Sequence, residues 1–124
     1  MTDQFPDHLQ YTAEHEWIDA SDPAVVGITA TAAEALGDIV YLELPEVGAE
    51  VTAGSVIGEV ESTKSVSELF SPVTGTVVEV NQAAIEDPAV VNSDPYTDGW
   101  LFKVDVTSTG DLLSAEQYAA LAGN

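Results

Sequence analysis

The feature that most constrains the fold is a rhythm of short aliphatic runs cut by turn residues. "EWI", "AVVGIT", "DIVYLEL", "AEV", "SVIGEVE", "SVSELF", "GTVVEV" and "WLFKVDV" are built around Val, Ile and Leu, with Gly, Pro, Asp or Ser punctuating the chain between them. Runs this short suit strands, and β-branched side chains fit a pleated sheet better than a helix. The series predicts a small, mostly β sandwich or barrel.

Helix is expected to be minor. "TATAAEALG" opens on Thr, carries alanines and ends on Gly37, the punctuation of a short helix. "SAEQYAALAG" sets Ser114 and Gln117 at capping-box spacing, places Tyr118 and Leu121 on one face and offers Gly123 as a stop, so a short C-terminal helix is predicted. "DPAVVNSDPYTDG" reads as a loop with one helical turn, and "WLFKVDV" as a final strand carrying Trp100. "PEVGAEV" from Pro45 and "PVTGTVV" from Pro72 share the pattern P-x-x-G-x-x-V, a weak repeat of two turn-strand units on either side of Lys64.

With 124 residues, 45% of them hydrophobic, one real core is affordable and two are not. Residues 1–124 are therefore expected to be one domain without a linker. Twenty-two Asp and Glu stand against two Lys and no Arg, a formal net charge of −20. Such a field repels phosphate backbones and anionic lipid surfaces, which argues against nucleic acid or membrane partners and favours basic protein surfaces. Salt adaptation produces the same bias, so charge alone names no function. The N-terminus has neither a basic leader nor an apolar segment, and no apolar run approaches spanning length. A soluble, cytoplasmic protein is expected, and a monomer.

Most catalytic signatures are missing. No cysteine is present, which excludes thiolate metal sites and a cysteine nucleophile. "HEWID" begins like a zinc-protease helix but lacks the second histidine, and "SDPYTDG" lacks the later ligands of a calcium loop. There is no P-loop, G-x-G-x-x-G or G-x-S-x-G. His8 and His15 come without a recognisable nucleophile setting, and close carboxylate pairs among 22 acids are expected by chance. An independent enzyme is not expected, and no metal site.

The informative residue is Lys64, in "ESTKSVSE". An isolated lysine is ordinarily a solvated surface group. Here, however, "STKS" is a short polar break between two strand-like runs, so a hairpin is predicted with Lys64 at its tip. A lysine held out on an ordered turn suits an enzyme that must acylate one amine, and the competitors are Lys103 and the α-amino group.

Beside that reading stands a resemblance. "YTAEHEWI", "GITATAAEALGDIVYLELPEVG", "GEVESTKSVSELFSPVTGTVVEVN", "NSDPYTDGWLFKV" and "SAEQYAAL" resemble, in order, the glycine cleavage system H protein family, from about Tyr11 to Leu121. The resemblance implies a barrel-sandwich hybrid of the lipoyl-domain type, with lipoic acid in amide linkage to Lys64. It implies a non-catalytic carrier that takes the methylamine group of glycine from the pyridoxal-phosphate glycine decarboxylase (P protein) to the tetrahydrofolate-dependent aminomethyltransferase (T protein). Dihydrolipoyl dehydrogenase (L protein) would reoxidise the arm, and a lipoate ligase or lipoyl transferase would attach it. Glu61, Ser62, Thr63, Ser65 and Glu68 form the context of the modification site. His15 and Glu16 of the "HEW" motif are carried over as contacts of the loaded arm in its cleft, and a carboxylate such as Glu16 would attract the cationic amine. Thr63 and Ser65 stand where the family more often has valine and alanine, which makes this tip more polar.

Rival readings are a lipoyl carrier for a 2-oxoacid dehydrogenase, a relay passing lipoate to other proteins, and a biotin carrier, for which flanking methionines would be expected. An unmodified acidic binding module is the rival from another class, and it would make Lys64 dispensable.

Overall fold

The computed structural model describes residues 6–121. In chain order they form β1 (Gln10–Tyr11), β2 (Glu16–Ile18), β3 (Ala24–Ile28), α1 (Ala30–Leu36), β4 (Ile39–Glu43), β5 (Glu50–Val51), β6 (Val56–Ser62), β7 (Val66–Phe70), β8 (Val73–Val80), α2 (Gln82–Glu86), α3 (Ala89–Ser93), β9 (Phe102–Thr109) and α4 (Ala115–Leu121). Strands β1-β2-β3-β9-β8-β5 make one sheet and β4-β6-β7 a second. Every pairing is antiparallel. The mostly β, two-sheet architecture with short helices is the one expected. No helix among the described residues is long and apolar enough to cross a membrane.

Alternation explains the main core. On β8, Val73, Gly75 and Val77 are buried while Thr74 and Thr76 are half-buried, because successive side chains leave opposite faces of a strand. Val73 and Val77 join Ile18, Val26, Leu42, Val60, Leu69, Phe102 and Val104 in one cluster drawn from both sheets. Strand β2 breaks the alternation, since Glu16, Trp17 and Ile18 are all buried. The reason is a second cluster: Ile18 belongs to the main core, whereas Trp17 packs with Leu9, Tyr11, Ala115 and Tyr118 under α4. Gly27, paired with Trp17 across the strands, leaves room for the indole, because a Cβ there would sit 2.6 Å from the ring.

The helix signals are used as read. Thr29 caps α1, its Oγ1 accepting from Ala32 N–H at 3.2 Å, and Gly37 ends that helix at φ 83°. Before α4, Ser114 N–H donates to Gln117 Oε1 (2.9 Å) and Gln117 N–H to Ser114 Oγ (3.1 Å), the reciprocal capping box. The proposed stop at Gly123 lies outside the described residues. The repeat units become neighbours in one sheet, with Glu50 and Val51 opposite Thr76 and Gly75, although β5 has two residues and β8 eight.

Three readings need correction. Strand β1 and helix α2 were not expected, and Trp100 precedes β9 instead of lying within it. Asn81 opens α2 without a side-chain cap. Its amide is committed elsewhere, donating to Asp98 O at 2.9 Å and Trp100 O at 2.7 Å.

The small sheet depends on one close approach. A Cβ on Gly58 would collide with the carbonyl oxygen of Glu43 on β4, at the β6 bulge between Val56 and Gly58. Overpacking of this kind typically costs about 1–3 kcal/mol. Gly58→Ala is therefore expected to lower the urea midpoint by an amount equivalent to about 2 kcal/mol; an unchanged midpoint would show that β4 can move away freely.

Candidate functional site

Strands β6 and β7 form the predicted hairpin, and Lys64 stands exposed at its tip. Ser62 organises the turn. Its N–H donates to Ser65 O (2.8 Å), and its hydroxyl donates to the same carbonyl (3.1 Å) while accepting from Lys64 N–H (3.3 Å) and Ser65 N–H (3.1 Å). This local serine turn replaces one backbone bond of an ordinary hairpin with a side-chain oxygen. Thr63 N–H donates outward to Asp38 O at 3.0 Å, tying the tip to the junction between α1 and β4. The backbone that carries Lys64 is thus fixed while the side chain remains accessible.

The other lysine is engaged. Lys103 Nζ lies 3.4 Å from Glu79 Oε1 and 5.1 Å from the Trp100 ring centroid. No ion pair engages Lys64 among the described residues. A primary amine that is presented and unpaired, on a rigid turn, fits amide formation with a carboxylic acid cofactor.

The remaining context residues surround that tip. Ser62 is buried, whereas Glu61, Thr63, Ser65 and Glu68 are exposed. Glu61 lies between Tyr41 and Val66 across the three strands, and Glu59 between Glu43 and Glu68. Directly opposed residues share a sheet face, so the face beside Lys64 carries Glu43, Glu59, Glu61 and Glu68. Along β7, Val66, Glu68 and Phe70 also share one face at about 6.6 Å per pair of residues. They form a track from the tip to Phe70.

At the end of that track lies a cleft of about 360 Å³, lined by residues that include Thr12, Glu14, Glu16, Phe70, Ser71 and Pro72. Glu16 is buried, 1% exposed. Because it shares a face with Ile18, its side chain leaves β2 on the side of the three-stranded sheet and not toward solvent. Its Oε1 accepts from Thr12 Oγ1 (2.7 Å) and its Oε2 from Phe70 N–H (3.1 Å). Burial pushes this carboxyl from 4.5 up to about 7, against the lowering effect of those two hydrogen bonds, and neighbouring Glu14 adds to the rise.

His15 has a different setting. The tight return from Thr12 to Glu16, closed by Thr12 N–H to Glu16 O (2.9 Å) and His15 N–H to Thr12 O (3.1 Å), leaves His15 at φ 71°, a left-handed conformation that histidine tolerates better than most residues. Its Nδ1 lies 2.6 Å from the Tyr118 hydroxyl, which lies 2.8 Å from Thr29 Oγ1. His15 is not among the residues lining the cleft. The structure brings Glu16 to β7 and binds His15 to α4 and the cap of α1. Sequence reasoning missed Thr12, Asp38 and the Phe70 N–H; the i, i+4 spacing of Thr12 and Glu16 was a usable signal for the first, but backbone partners leave none.

A two-sheet, mostly β fold with an accessible lysine on a hairpin tip has the architecture of the lipoyl-domain class. The sequence profile described as "Glycine cleavage H-protein" matches residues 9–124. The "Glycine cleavage system H protein" of Beutenbergia cavernae is 60% identical over 118 residues, 94% of each chain, and that of Thermobifida fusca 62% identical over the same shares. The crystal structure of a glycine cleavage system H protein from Mycobacterium marinum superposes with a TM-score of 0.92 at 51% identity, covering 96% of this chain and 99% of that one. The chain belongs to the glycine cleavage H-protein family.

Proposed function

We propose that this chain is the lipoyl-bearing carrier of the glycine cleavage system, with lipoic acid in amide linkage to Lys64. The observation that carries the reading is the tip itself: an exposed, unpaired amine on a turn held by Ser62 and Asp38, while Lys103 is occupied by Glu79 and Trp100. When bound, the lipoyl group supplies a disulfide that accepts the methylamine group of glycine and is later reoxidised. The chain's own work is to present, reach and shelter. Lys64 sends the group to glycine decarboxylase, aminomethyltransferase and dihydrolipoyl dehydrogenase in turn, and the acidic face around it favours basic docking surfaces.

The dimensions agree. Lysine plus lipoyl spans roughly 14 Å, and Lys64 to Glu68 spans about 13 Å at strand rise. An arm laid along β7 therefore ends beside Glu68, about 6 Å short of Phe70. Glu16 is held from the far side through the Phe70 N–H. A methylamine group on the arm's end adds roughly 3 Å, which brings its cation near Phe70 and within the attraction of Glu16, whereas His15 would act by holding the turn that shapes the cleft.

The test is modification. Chain produced with lipoate and its cognate ligase is expected to gain one lipoyl group, mapped to Lys64 and absent from Lys103 by intact-mass and peptide analysis. Persistently unmodified Lys64 under those conditions would remove the carrier reading.

A further inference from the structure

We infer that Asn92, on α3 and outside every segment assigned above to the site, is the positioning residue for Lys64. It acts through the peptide group that receives the hairpin tip. That peptide joins Asp38 to Ile39. Its carbonyl accepts from Thr63 N–H at 3.0 Å, and its N–H donates to Asn92 Oδ1 at 2.9 Å. The group is planar, so holding the N–H fixes the direction of the carbonyl on the other side of the bond.

The same side chain grips the preceding peptide. Asn92 Nδ2 donates to Gly37 O at 2.8 Å and, at 3.5 Å, to Ala33 O at the end of α1. This matters because Gly37, at φ 83° and ψ −154°, has a backbone conformation essentially restricted to glycine, and glycine does not lock it. Asn92 holds the residues on both sides of Asp38 and removes that freedom. Gly37 is also where the lysine stem lies, since a Cβ there would come 3.5 Å from Lys64 Cε. One asparagine therefore governs the anchor of the tip and the surface beneath its side chain.

An enzyme that acylates Lys64 must bind the tip in one shape, and a preformed shape lowers the ordering cost of binding without altering the amine's chemistry. The part of this inference that concerns acylation rests on the carrier reading. Of the three hydrogen bonds that Asn92→Ala removes, the one to Ile39 N–H holds the peptide that receives the tip; its loss is expected to raise the ligase KM for this protein about tenfold, with kcat within about twofold. Thr63 amide exchange should quicken about tenfold relative to Val77 and Val104 in the core. Thr63→Pro removes the donor at a turn position without positive φ, where proline is accommodated. It should reproduce the KM rise, and adding Asn92→Ala to it should raise KM by much less than the roughly tenfold of either change alone, the remainder coming from the Gly37 surface beneath the lysine stem.

An unchanged KM for Asn92→Ala, multiplicative effects in the double variant, or Thr63 exchange that merely follows the core would overturn the inference. Failure of the unaltered protein to be lipoylated would instead strike the carrier reading, and the exchange comparison, which needs no cofactor, would then decide the role of Asn92 by itself.

Discussion

Lys64→Arg is expected to yield a folded protein that supports no glycine decarboxylation above background when combined with the three partner enzymes proposed above. Arginine has no primary amine to acylate and stays charged at any working pH. The fold should not notice the change. The hydrogen bonds at this residue are made by its backbone N–H to Ser62, and the side chain is exposed. Tethering supplies an effective concentration in the millimolar range, so release of labelled carbon dioxide from glycine should fall at least about a hundredfold. Free lipoate added to the variant should restore only a trickle, and its size measures the worth of the tether. Activity retained without added lipoate would eliminate covalent carriage and revive the unmodified binding module.

The parts of this design legible in the sequence are those governed by neighbours along the chain. The Thr29 and Gly37 ends of α1, the capping box at Ser114 and Gln117, and the hairpin around Lys64 each depend on spacings of a few residues. They occur where the residues predict. Helix α2 escaped because Asn81 looks like one cap among many and spends its amide on Asp98 and Trp100. Strand β1 escaped because its two residues are held by pairing with β2 and by the bridge from Tyr11 to Leu113, a contact across most of the chain.

The site divides along the same line. Lys64 and its serine turn are local, so motif and geometry agree on them. Glu16 was reached through the family motif, yet what makes it unusual is not in the motif. It is buried on the face of β2 that it shares with Ile18, against β7, and its partner there is a main-chain N–H. His15, two residues from Trp17, is drawn toward Tyr118 by the last helix. The anchoring of the tip by Asp38 and Asn92 joins three segments that no local pattern connects.

The second large effect concerns Glu16 and pH. With a carboxyl raised from 4.5 to about 7 in the fold, the unfolded chain releases this proton first as pH rises. The stability associated with Glu16 is therefore complete below about pH 4.5, declines by about 1.4 kcal/mol per pH unit up to about 7, and is level above. The total loss is about 3 kcal/mol. Glu16→Gln keeps the shape and removes the titration. Its amide oxygen can accept from Phe70 N–H, while its NH₂ faces Thr12 Oγ1, whose lone pairs already take Glu14 N–H and Glu16 N–H; the cost of that mismatch does not vary with pH and leaves the slope unchanged. The unfolding free energy of the variant minus that of the unaltered protein, from urea titrations, should rise by about 3 kcal/mol between pH 4.5 and 8. The other carboxylates cancel in this difference because both proteins carry them. A flat difference would mean that Glu16 is solvated and titrates normally, which would leave the cleft without its defining group. A rising difference means that the fold loses stability toward neutral pH because it keeps an ionisable carboxyl in a buried place. Such a carboxylate gains most from a cation entering the cleft, since a positive charge beside it offsets the desolvation that raised its pKa. The same measurement on lipoylated protein loaded with methylamine should therefore show a smaller loss between pH 4.5 and 8, and an equal loss would place the amine elsewhere.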